Sequence, residues 1–205
     1  MLVNKENISF LLYSCLSVSV DALNNKDASC VLDAAIKRAF RDASSHVLSI
    51  ENNDPRNSKS EKTNPDMIIA KAVCDLKDSD DYDTWHCNLC NRLCEAYSKC
   101  TYKKANNRGE LSFSFGIAQK WVNMTMKYLT LLSDVCSNSE LEESDFYMNI
   151  GKKLSSFRNF LHAPVDRFII NAAWNCPQIS LPLKEDVDNG KRIKKYKNPS
   201  DYVEA

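Results

Sequence analysis

Phe115-Gly116-Ile117-Ala118-Gln119-Lys120-Trp121-Val122-Asn123-Met124-Thr125-Met126-Lys127-Tyr128 decides how this chain folds. Read at 3.6 residues per turn, it is a helix that is apolar around most of its girth. Ile117, Trp121, Met124, Tyr128 and Leu131 share one face, and Ala118, Val122, Leu129 and Leu132 extend it to the next. Only a narrow polar stripe is left, made of Gln119, Lys120, Asn123 and Lys127. A helix with so little polar surface belongs inside its domain. Polar groups carried into the interior need partners, as members of a structural network or as parts of a site.

The flanking sequence repeats the helical period. Ile8, Leu11, Leu12, Cys15, Leu16 and Leu23 mark a first helix. Residues 28–48 predict a second, with Leu32, Ile36, Ala39, Phe40, Ala43 and Val47 inward and Lys37, Arg38, Arg41 and Asp42 outward. Residues 51–63 contain no apolar side chain, which predicts a mobile loop that buries nothing. Asn64 then offers an N-cap and Pro65 a first helical position, starting a short helix through Leu76. A fourth helix is expected over 83–99, with Trp85, Leu89, Leu93 and Tyr97 inward, followed by a polar connector over 101–110. After the central helix and a polar loop near 137–143, a helix over 144–161 presents Tyr147, Ile150, Leu154, Phe157 and Leu161. Pro164 can open a seventh, with Val165, Phe168, Ile169 and Ala172 inward. The expectation is an all-α fold, a single-domain bundle of six or seven helices over 1–176, with an irregular tail over 177–205. A short extended piece at 178–183 is the one strand-like segment.

Bulk composition narrows the function classes. The 205 residues carry no net charge, so no global field steers the chain to nucleic acid or membranes. Nine cysteines cannot all pair within one chain, and their irregular spacing matches no small secreted framework, which points to a reducing cytoplasm. The apolar run 8–20 is too short to span a bilayer, and Glu6 offsets Lys5 at its start, so it reads as a buried amphipathic helix rather than a secretion signal. There is no phosphate-cradling glycine loop, paired-carboxylate signature or nucleophile elbow.

Four groups of residues can carry chemistry. Cys87 and Cys90 have the two-residue spacing of zinc ligands, with Cys94 one turn further on and His86 and Cys100 nearby. On one straight helix they cannot surround a tetrahedral ion, so they read first as small packed residues, with metal as the lesser alternative and no cofactor expected. The bend Leu161-His162-Ala163-Pro164-Val165-Asp166 sets an imidazole near a carboxylate, as a base near its orienter. It equally suits a cation closing one helix and Asp166 capping the next. The run Lys191-Arg192-Ile193-Lys194-Lys195-Tyr196-Lys197 could touch phosphates, although Glu185, Asp186 and Asp188 precede it. Finally, Arg158 precedes His162 by one helical turn.

That last spacing resembles the ribonuclease motif of the HEPN helical-bundle superfamily, where an Arg and a His meet across a dimer and cut RNA without a metal. Three residues intervene here, whereas the family pattern has four to six. The resemblance implies Arg158, His162 and, beside them, Lys120 near a scissile phosphate. A broader likeness covers residues 111–166. The pattern Phe-Gly-x-Ala-Gln-Lys-x-x-Asn-x-x-x-Lys-Tyr, followed by His-x-Pro-x-Asp, is similar to a group of bacterial proteins with no assigned activity. The residues on the shared pattern are Gly116, Gln119, Lys120, Asn123, Lys127, Tyr128, His162, Pro164 and Asp166. The likeness implies that the two segments belong together. The residues themselves, with the ribonuclease-like spacing, give His162, Arg158, Asp166 and Lys120 as candidate catalytic groups and Gln119, Asn123, Lys127 and Tyr128 as candidate binding groups. Two functions are expected: a small helical interaction or regulatory protein binding a protein partner or itself, and a metal-independent nucleic-acid-processing enzyme.

Overall fold

The computed structural model describes residues 5–24, 29–44, 49–50, 54–100, 102–103, 110–111, 113–139, 141–162, 185–188 and 191–194. The chain divides into two compact units, 1–162 and 163–205. The first is an all-α bundle. Its helices are α1 (Lys5–Leu16), α2 (Ser29–Ser44), α3 (Pro65–Asp75), α4 (Tyr82–Ala96), α5 (Phe115–Ser137) and α6 (Lys152–Phe157), with a π-helical turn over Tyr147–Gly151 leading into α6.

The central helix is α5, which packs against α2, α4, the π turn and α6. Its buried face runs through Ala118, Trp121, Val122, Thr125, Met126, Leu129, Leu132, Ser133 and Cys136. That face lies beside the one centred on Ile117, Trp121 and Tyr128. Leu131, expected inward, is 52% exposed, because α2 and α4 cover the neighbouring side of the helix. Trp121 fills the junction with α2. Its ring lies 4.7 Å from Phe40, and its indole N–H donates to the Ile36 carbonyl at 2.9 Å. Tyr97 stacks on Phe113 at 4.1 Å and extends this aromatic cluster. Ile36, Ala39, Phe40 and Ala43 complete it from the inward stripe of α2.

The start of α3 follows from its first two residues. Asn64 Oδ1 accepts the N–H groups of Asp66 and Met67, and Pro65 occupies the first helical position. The preceding segment departs from expectation. It keeps its loop character, but Pro55–Asn57 form a 3-10 turn capped by Asp54. Arg56 lies 4.3 Å over the Phe40 ring and pairs with Asp66 at 3.0 Å, while the Asn64 amide donates to the Arg56 and Ser58 carbonyls. A loop without apolar side chains is therefore held by a cation on an aromatic face and by a cap that works in both directions.

Short strands accompany the helices. β1 (Ser49–Ile50), β2 (Tyr102–Lys103) and β3 (Glu110–Leu111) form a small antiparallel sheet between the helices' connectors. In the second unit, β4 (Glu185–Asp188) pairs with β5 (Lys191–Lys194). Its register sets Glu185 opposite Lys194 and Asp188 opposite Lys191, so half of the basic run faces an acidic strand. The seventh helix, the extended piece at 178–183, Val47 and the domain boundary expected at 176 lie outside the described residues. Among the described residues, no helix is long and apolar enough to cross a membrane.

Candidate functional site

The candidate site starts at the first turn of α4. Asp81 caps that helix by accepting the Thr84 N–H at 3.0 Å. The cap fixes the phase of the turn, placing Tyr82, His86 and Cys90 four residues apart on the inward face, with Asp83 at its edge. His86 is 2% exposed. Its Nε2 lies 2.8 Å from Asn123 Oδ1 on α5, so Nε2 carries the proton and donates. The Cys90 sulfur sits over the same ring, 3.9 Å from Nε2 and 4.0 Å from Nδ1.

His162 closes the group from the other side. Its ring meets His86 edge-on at 4.5 Å and Tyr82 edge-on at 5.4 Å, and its Nε2 lies 2.7 Å from Asp83 Oδ1. A polar line thus runs Asp83–His162–His86–Asn123, from a carboxylate that is 79% exposed to an amide in the core. Phe157 backs it through Tyr82 at 6.0 Å. The Tyr82 hydroxyl is buried with no hydrogen-bond partner among the described residues, and burial raises its pKa, so it remains a neutral phenol. Burial lowers the His86 pKa, and the adjacent His162 lowers it further. Burial pushes the Cys90 thiol up to about 12, which keeps it protonated and unreactive. Beside His162 opens a cavity of about 200 Å³, lined by Asp78, Asp80, Asp81, Asp83, Ser156 and Phe160 among others.

The residues singled out in the sequence are partly brought together. Asn123 and His162 join one network, but through His86, which sequence reasoning had grouped with the cysteines. The signal for His86 was its place on the same apolar stripe as Leu89, Leu93 and Tyr97. Arg158 does not converge on His162. It is exposed and pairs with Asp134 of α5 at 3.1 Å. One helical turn should have aligned the two side chains, but the chain passes through a 3-10 turn at Arg158–Phe160 and then extends at Leu161, which breaks that phase. Gln119 and Lys120 are half-buried on α5, and Lys127 is exposed. Tyr128 turns toward α2 and donates to Asp42, which also lies 3.4 Å from Arg38. Asp166 is outside the described residues. Cys87 is exposed, Cys90 buried and Cys94 half-buried. Among the described residues, no three His, Cys, Asp or Glu side chains are placed to hold a metal ion, because one helix spreads its thiols along an axis rather than around a point.

No family model, curated protein or solved structure matches the chain.

Proposed function

We propose that this chain is a small helical interaction protein that binds a protein partner, or a second copy of itself, through the outer face of α1. The observation that carries the reading is the chemistry of that face. Ile8, Leu12 and Leu16 are spent on the core. The side turned to solvent presents Phe10 and Tyr13, at 71% and 72% exposure and one turn apart. No charged residue occurs anywhere in 7–20. A peripheral helix that needed only to stay wet would carry Lys and Glu there. Exposed aromatics without charge are the composition of an interface centre. The expected family, a bacterial group built on the same central helix and His-x-Pro-x-Asp bend, and a cytoplasmic setting are compatible with this role.

The test is a double substitution, Phe10→Ser with Tyr13→Ser, on the whole chain. Burying each ring contributes roughly 1.5–3 kcal/mol, so self-association measured by light scattering, or capture of a co-purifying partner, should weaken at least about tenfold. Thermal stability should stay within about 0.5 kcal/mol of the parent, since neither ring is in the core. Unchanged association would remove the reading.

A second reading, RNA cleavage without a metal, has one observation in its favour: His162 bonded to Asp83 as a base to its orienter. Two others weigh against it. Four aspartates line the adjacent cavity and would repel a phosphodiester, and the Arg158 guanidinium is engaged by Asp134. Chelator-resistant cleavage of labelled RNA that disappears in His162→Ala would restore the enzyme.

A further inference from the structure

The His86–His162 contact is a second device, independent of the α1 face. Two imidazoles touch at 4.5 Å, and their surroundings differ in how many protons they can hold. His162 is about one-third exposed and has a carboxylate at 2.7 Å, so a proton on it creates an ion pair with Asp83. His86 has no such outlet. Its Nε2–H is already committed to Asn123, and a second proton on Nδ1 would point toward the Cys90 thiol, a weak acceptor that stays protonated. Among the described residues, Nδ1 has no carboxylate or carbonyl within bonding distance. Among the described residues, the groups that face the two rings are Asp83, Tyr82 and Cys90 from α4, and neutral Asn123 from α5. Phe157 adds nothing titratable, and Arg158 is held by Asp134. Among the described residues, His162 lowers the His86 pKa and Asp83 raises it.

We propose that the two rings form a proton-sensitive latch on residues 158–162, where the helical unit ends: the rings stay in contact while His86 is neutral, and a proton on His86 parts them and releases that segment. A proton on His86 puts a charge in the core and leaves a buried N–H without an acceptor, and that cost is relieved when His162 swings out and opens the ring to solvent.

The test is histidine NMR on the full chain. It has only three imidazoles, His46, His86 and His162, which single substitutions assign. Through a titration from pH 8 to 5, the Trp121 indole N–H signal reports whether the core stays folded. The expected result couples the His86 signal to the end of the helical unit. Protonation of His86 then coincides with lost amide-exchange protection over 158–162, while the Trp121 signal persists. In His162→Gln, the His86 midpoint moves up and protection over 158–162 becomes independent of pH. An unchanged His86 midpoint in His162→Gln overturns the latch. So does protection over 158–162 that is constant with pH, or lost only when the Trp121 signal is lost.

Discussion

His86 is buried as a neutral ring, and burial is the first cause of its lowered pKa. The unfolded chain therefore binds a proton near the ordinary value of 6.5 that the folded chain refuses. This contribution to stability is complete above pH 6.5 and is lost as the pH falls toward the lowered folded value. The urea midpoint should drop between pH 7.5 and 5.5, and His86→Gln should flatten that drop while keeping an amide opposite Asn123. Asn123 shows what sequence could and could not convey at this scale. Its place on an almost wholly apolar helix said that it needed a partner. The partner, 37 positions upstream, depended on which face of α4 turned inward. Leu131 shows the limit from the other side. A face judged by hydropathy alone includes a position that the packing of α2 and α4 leaves in solvent.

Elements were legible where a local rule acts without help from the rest of the fold. Asn64-Pro65 is a cap followed by a residue with no N–H to satisfy, and α3 starts there. Asn64→Ala should cost about 1–2 kcal/mol, because the cap is lost and the Arg56 and Ser58 carbonyls lose their donor. Chemical denaturation, with Asn64→Asp as the capping control, reads this directly. The short strands were not legible, since two-residue ladders carry no alternation. The one available hint was Asn189-Gly190 between an acidic and a basic run, a dipeptide favoured in tight hairpins. The π turn before α6 had no sequence mark either. It is held by contacts from elsewhere: Ser133 Oγ on α5 donates to the Gly151 carbonyl at 2.7 Å, and Ser155 Oγ donates to the same oxygen at 3.2 Å. A side chain at 151 would begin 2.9 Å from the Tyr147 ring and 3.1 Å from Ser133 Oγ. Gly151→Ala should therefore destabilise by about 1–3 kcal/mol in urea unfolding, despite alanine's better helix propensity.

At the scale of the whole molecule, the core around α5 sorts the cysteines. Cys136 and Cys90 are fully buried, and burial pushes their thiols up to about 11 and about 12. Cys15, Cys30, Cys74 and Cys87 are exposed. Brief treatment of the native chain with a maleimide, followed by peptide mapping, should modify Cys15, Cys30 and Cys87 and spare Cys90 and Cys136 until denaturant is added. Equal labelling would mean that the helices do not enclose α5 as described. The all-α class was readable from the period of the apolar residues because the described helices each spend a stripe on one shared core. The candidate site was not, because it joins α4, α5 and the end of the chain's first unit, and no local pattern records which helix ends meet. The π turn adds one more consequence. Five residues span what an α-helix covers with fewer, so every position after Gly151 is advanced in angle, by about 100° for each added residue. Deleting a single residue there would keep the composition and nearly the length of the helix, yet wind the following surface back by that angle, carrying Arg158 off Asp134 and the histidine at 162 out of reach of its neighbour.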